Sequence, residues 1–268
     1  MITKEIITRF RDLKTPFYYY DLDVLHQTLK LVSEESVRTG FRVHYAIKAN
    51  PNPRLLKIIA SYGIGADCVS GNEIASALDA GIDPSMIVFA GVGKTDSDIR
   101  FALKNNIYCF NCESIPEIEV INQLAAEEKM TADIALRINP YVEAYTHKYI
   151  TTGIEESKFG INTWELEEVL ANLDRMNNVH LMGIHFHIGS QITKMPVFLN
   201  LSTKVNELQE WFASRNVALK MINVGGGLGI DYDNPSSTPD FSEYFSLISK
   251  LVELRPGQEL HSEPGRSI

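Results

Sequence analysis

The residues able to do chemistry in this chain sit where short apolar runs give out. In HYAIKANPN, residues 44–52, Lys48 stands where a strand pattern ends, just before Asn50-Pro51-Asn52-Pro53 breaks it. Such a lysine either snorkels its ammonium into water or holds an amine in a partly dry site. There a depressed pKa makes it a nucleophile toward aldehydes. Gly225-Gly226-Gly227-Leu228-Gly229 and Gly265-Arg266 follow two later runs. Backbone free of side chains lets successive N–H groups approach phosphate oxygens, and Arg266 adds a planar cationic fork. The competing reading is a glycine turn that only closes the fold. A dinucleotide fingerprint fails, because G-x-G-x-x-G needs glycine at 230 and the residue is Ile230.

Two metal readings fare poorly. His185 and His187 lie two apart on a strand pattern and point the same way, as a zinc pair does. Only Asp67 and Glu263 could join them, so no metal is expected. Cys109-Phe-Asn-Cys112 has C-x-x-C spacing but no second pair, and it does not open a helix. Two buried small residues is the better reading.

These residues need elements to position them. Helical periodicity falls at 23–38, 53–62, 71–80, 95–104, 114–128, 163–173, 196–215 and 241–254. Apolar runs alternate with it at 42–47, 64–67, 86–90, 107–110, 132–138, 179–186, 220–224 and 259–262. Ser70-x-x-Glu73, Ser114-x-x-Glu117 and Asn162-x-x-Glu165 carry capping-box chemistry at helix starts. Eight units in 268 residues predict a closed (β/α)8 barrel over residues 23–268, with 1–22 leading into it; a doubly wound sheet is the alternative. The stretch 139–161 reads as a long loop. In a barrel the chemistry lies at the C-terminal strand ends. Those ends read Lys48, Asp67, Ala90-Gly91, Asn111, Arg137, His185 to His187, Gly225 to Gly227, and Glu263 to Arg266.

Composition narrows the function classes. Against 34 acidic residues stand 25 basic ones, net −9, with no basic run, which argues against nucleic acid and anionic membrane partners. No stretch reads as a membrane span, the N-terminus lacks a signal-peptide pattern, and three cysteines make no disulfide framework. A cytoplasmic protein acting on a small molecule is the expectation. A lysine for an aldehyde, a cradle for a phosphate, a flat imidazole and a buried acid together suggest pyridoxal 5′-phosphate.

The chain resembles the barrel domain of the fold-type III pyridoxal-phosphate decarboxylases, whose barrel is of the alanine racemase type. The matching segments are YAIKAN (45–50), GADCVSGNE (65–73), RINP (137–140), THKYITTGIEESKFGI (146–161), GIHFHIGSQI (183–192), NVGGGLGI (223–230) and EPGR (263–266). The resemblance implies that Lys48 anchors the cofactor aldehyde, that His187 stacks on its ring and that Glu263 pairs with the ring nitrogen; these three are the expected catalytic residues. Ser190, Gly225, Gly226 and Gly227 would contact phosphate, with Pro264 and Gly265 beside them. Arg266 would bind phosphate or a substrate carboxylate, and Asp67 and Arg137 would line the site. His185 reads as support and Glu73 as the capping acid. A glutamate at 263 favours decarboxylase over racemase, because the racemases place an arginine there.

Three functions follow as expectations. One is decarboxylation of meso-diaminopimelate to L-lysine. The second is a sister reaction on ornithine, arginine or carboxynorspermidine, and the third is a non-catalytic cofactor binder. The resemblance also implies a homodimer in the full-length form. A C-terminal β domain, which supplies a cysteine and a tyrosine in the family, has no matching segment here, so the chain reads as a truncated form that could be inactive alone.

Overall fold

The structure, a computed structural model, describes residues 3–142, 159–234 and 237–268. Eight parallel strands pair in sequence order and close into a barrel. They are β1 Phe41–Ala46, β2 Gly65–Cys68, β3 Ile87–Phe89, β4 Cys109–Cys112, β5 Ala132–Arg137, β6 Val179–His185, β7 Met221–Asn223 and β8 Glu259–Ser262. Closure comes from β1 and β8, with Phe41 opposite Leu260 and Val43 opposite Ser262. The doubly wound alternative is thereby excluded. The helices are α1 Lys4–Phe10, α2 Leu22–Thr39, α3 Pro53–Ser61, α4 Gly71–Asp79, α5 Asp96–Lys104, α6 Ile115–Glu127, α7 Leu166–Leu173, α8 Met195–Ala213 and α9 Phe241–Leu251. Among the described residues, α1, inside the expected leading segment, is the one helix with no counterpart in the periodicity; it buries no residue.

Local chemistry starts the helices. Asp21, Asn52, Ser70, Thr95, Ser114 and Asp240 each accept a first-turn N–H at a helix N-cap. Two of the three expected capping boxes differ in detail. Glu73 and Glu117 reach back one residue further, to the N–H groups of Val69 and Glu113, whereas Asn162 and Glu165 close a true box. Thr95 with Asp98 forms another.

The main core lies between sheet and helices, where Phe89, Phe110, Phe186, Phe198, Phe212 and Phe245 are buried. A second, smaller cluster of Val88, Cys109, Ala135, Met182 and Met221 fills the barrel interior. Cys109 and Cys112 stand three apart on β4, so they face opposite sides of the sheet, the first in the interior and the second in the outer core. Both are buried and free. On β6, Leu181 pairs with Ile134 but Gly183 pairs with Ala135, so Met182 is an extra residue at a bulge. That bulge resets the alternation and aims His185 inward.

Candidate functional site

Side chains from several strands meet at the C-terminal end of the barrel. β1 ends earlier than expected, and Ile47–Ala49 forms a 3₁₀ turn that carries Lys48 over the barrel mouth. Its ammonium lies 3.5 Å from Asp67 Oδ2 at the end of β2. The lysine side chain is half exposed and Asp67 is buried. The depressed lysine pKa expected from sequence is not what the site produces. Asp67 raises Lys48 above its ordinary value, burial opposes this, and Glu263 adds to the rise. Burial and then the charge of Glu263 push Asp67 up to about 7. One oxygen of Asp67, Oδ1, is buried without a partner.

Glu263 follows β8 and lies buried on the barrel axis. Its Oε1 accepts from Asn111 Nδ2 at 3.1 Å and from Asn223 Nδ2 at 2.7 Å, and its Oε2 lies 2.8 Å from His185 Nε2. Burial acts to raise this carboxyl. The close pairing and hydrogen bond with His185 overcome it, with Lys48 and His44 behind them, and hold Glu263 well below the usual carboxylate range. Sequence reasoning left His185 as support and gave Asn111 and Asn223 no role. For Asn111 and Asn223 the available signal was period two, since each stands two residues after an inward residue, Cys109 or Met221; on β6 the bulge breaks that period before His185.

A cavity of about 250 Å³ is lined by Lys48, Asp67, Arg137, His187 and Glu263, together with Phe159 and His185. His187 is partly buried on the wall, and desolvation, then the cations Arg137 and Lys48, push its imidazole down to about 3. It therefore offers a neutral, flat ring. Arg137 is held by Glu113 at 2.8 Å, and Glu113 also accepts from Gly91 N at 3.1 Å. Behind Glu113, the buried Lys94 donates to the carbonyls of Gly91 and Asn111 and to Glu117. Neither Lys94 nor Glu113 was singled out by the sequence reading. Lys48 also lines a wider cavity of about 740 Å³ with Tyr45, Tyr232, Gly265 and Arg266.

The glycine loops converge beside this second cavity. A Cβ on Gly225 would stand 2.0 Å from Phe186 O, and on Gly226 2.1 Å from Glu263 O. At Gly227 it would be 2.6 Å from Gly189 O, and at Gly265 3.0 Å from Ala46 Cβ. Close backbone approach is thus what demands glycine, so the loop-closing reading holds. The anion reading is compatible with it. The N–H groups of Gly226 and Gly227 have no hydrogen-bond partner among the described residues. Arg266 Nε donates to Ser190 Oγ at 3.2 Å, and its guanidinium also meets the Tyr232 hydroxyl. Pro264 ties the loop down by accepting from Ala46 N at 3.0 Å. The donors, the caged acid and the lysine at one mouth are the kinds of group that pyridoxal 5′-phosphate needs for its phosphate, its ring nitrogen and its aldehyde. Residues 143–158 lie outside the described residues, and with them most of THKYITTGIEESKFGI and of the expected 139–161 loop.

Among the described residues, no group of three or more His, Cys, Asp or Glu could hold a metal ion, and no helix is long and apolar enough to cross a membrane.

Comparisons with known proteins agree with this chemistry. A family model described as pyridoxal-dependent decarboxylase, pyridoxal binding domain, matches residues 25–268. A diaminopimelate decarboxylase of Bacteroides thetaiotaomicron is 51% identical over 265 residues, which are 98% of this chain and 69% of that protein. The crystal structure of the Helicobacter pylori diaminopimelate decarboxylase, complexed with L-lysine, superposes with a TM-score of 0.88 at 36% identity. The match covers 97% of this chain and 66% of that one. The M. jannaschii enzyme in co-complex with L-lysine gives 0.80 at 32% identity, covering 90% and 59%. The chain therefore spans roughly two thirds of the length of the relatives it matches.

Proposed function

We propose, from the premise that this chain belongs to the pyridoxal-dependent decarboxylases through its pyridoxal-binding domain, that it removes carbon dioxide from an amino acid, meso-diaminopimelate, to give L-lysine. The observation that carries this reading is the buried Glu263, caged by Asn111, Asn223 and His185, in one cavity with Lys48 and His187. When bound, pyridoxal phosphate supplies a sink for the electron pair left on carbon as a carboxylate departs. This chain's residues do the rest. Lys48 would hold the aldehyde by its amine and would serve at the mouth as a proton carrier beside Asp67, 3.5 Å away. Glu263 stays ionised against a protonated ring nitrogen, which a neutral side chain would not do. His187, being uncharged, gives the ring a flat apolar face, and Gly226, Gly227, Ser190 and Arg266 hold the phosphate.

The choice of substrate rests on the relatives named as diaminopimelate decarboxylases, at 51% and 38% identity in two cases, and on the L-lysine held by two structural neighbours. A homodimer and a cytoplasmic setting belong to the same proposal, the latter supported by three free, buried cysteines. The test is a panel of meso-diaminopimelate, ornithine, arginine and carboxynorspermidine with the cofactor added, read as released carbon dioxide. Borohydride treatment and peptide mapping are run alongside. Release from meso-diaminopimelate, with the reduced cofactor attached at Lys48, is expected. Release from another member, or a label on another lysine, would refute the substrate or the anchor respectively.

A further inference from the structure

A carboxylate has two lone pairs on each oxygen, and at Glu263 three of the four are taken. Asn111 and Asn223 occupy both on Oε1, and His185 occupies one on Oε2. His185 must put its proton on Nε2, since a carboxylate only accepts; its other nitrogen, Nδ1, is buried without a partner. The cage comes from β4, β6 and the end of β7, three separate strands converging on the residue after β8.

Which atom keeps a proton shared between a buried carboxylate and a pyridine nitrogen depends on how basic the carboxylate is. Burial alone makes a carboxylate more basic, because its charged form is desolvated. A bare Glu263 at 5% exposure would tend to take the proton from the ring and leave it a neutral, poor electron sink. Each donor that hydrogen-bonds the charged form works in the opposite direction.

Resting on the reading of this cavity as the cofactor site, the geometry points to His185 as a positioning residue: with Asn111 and Asn223 it leaves Glu263 one open lone pair, on Oε2, and keeps the shared proton on the cofactor's ring nitrogen. His185 itself acts through Glu263. His187, two residues on, lines the same cavity from the same strand end. The pair therefore divides the work, one residue facing the acid and one the ring.

The experiment is nitrogen NMR of the protein loaded with pyridoxal phosphate labelled at the ring nitrogen, at neutral pH. Wild type should give a protonated, pyridinium-like resonance. His185→Phe, which keeps a flat ring and removes the donor, should move it toward neutral pyridine, and His185→Gln, whose amide restores a donor, should bring it back. Asn111→Ala removes a donor from Oε1 instead and should shift the resonance the same way, which keeps the test open if His185→Phe does not fold. If wild type takes up no pyridoxal phosphate, the cofactor reading fails and this assignment with it. If the cofactor binds and the resonance stays pyridinium-like in both His185→Phe and Asn111→Ala, this assignment alone is overturned.

Discussion

At the scale of single residues, Glu263 is where substitution should separate binding from chemistry. Glu263→Gln keeps the shape and puts an amide NH₂ at the Oε2 position, facing His185. The unpartnered Nδ1 of His185 lets the proton change nitrogens, so Nε2 can accept from that NH₂. Asn111 and Asn223 still find an acceptor in the remaining oxygen. The variant should therefore fold and bind cofactor, but it would present a donor to the ring nitrogen, which then stays unprotonated. Each unit lost in the ring's basicity is worth about 1.4 kcal/mol, so two units cost roughly a hundredfold in rate. Cofactor titration unchanged within a few-fold, with carbon dioxide release down by roughly a hundredfold or more, is the expected pair of results. Wild-type turnover would refute the electron-sink role. That Lys48 and Arg266 lie at the barrel mouth was legible from sequence because charge beside glycine or proline at a strand end is unusual; the pairing expected of Glu263 came from the family resemblance. The cage was not, since Asn111, His185 and Asn223 are 74 and 38 residues apart in successive steps and only barrel closure brings them together.

At the scale of elements, the glycine loop after β7 offers a test of what glycine is for. Gly226 needs no left-handed backbone, yet its Cβ would meet Glu263 O at 2.1 Å, and backbone cannot swing aside as a side chain can. Gly226→Ala should push the end of β8 away from β7, destabilise the protein by about 3 kcal/mol and weaken cofactor binding with it. Gly93→Ala is the control: it has nothing within 4 Å and no left-handed backbone, so stability should be unchanged or rise by about 0.5 kcal/mol. Urea unfolding and cofactor titration check both, and equal stability of the two variants would remove the steric account. Element order was plain in the sequence because eight apolar runs alternate with capped amphipathic helices. The β6 bulge was not, because Met182 is an ordinary apolar letter in an apolar run. Its effect, turning His185 inward, exists only against the register of β5.

At the scale of the whole molecule, folding confines ionisable groups to the barrel interior and so ties stability to pH. Desolvation, then the neighbouring His261, pushes His44 down to about 3, and desolvation brings His187 to a similar value. Both have an ordinary value of 6.5. Between these values the unfolded chain binds two protons that the folded one refuses, so stability falls as pH falls. Asp67 works the other way: raised from 3.8 to about 7, it holds a proton in the folded state that the unfolded chain releases. From about pH 6.5 to about pH 4 the net is one proton more in the unfolded state, a loss of about 1.4 kcal/mol per pH unit. His261, also lowered by burial, adds in the same direction. Above pH 7 these groups hold the same charge in both states and stability should level off. His44 hydrogen-bonds Met86 O at 3.0 Å and His261 at 2.8 Å. His44→Gln keeps groups able to make both bonds but cannot titrate. Urea unfolding of the cofactor-free protein at pH 7.5, 6.0 and 5.0 should show this decline, and His44→Gln should flatten it by about one proton's worth. Stability that did not fall between pH 6 and pH 5, or an unchanged slope in His44→Gln, would mean that the interior histidines are not what acid attacks.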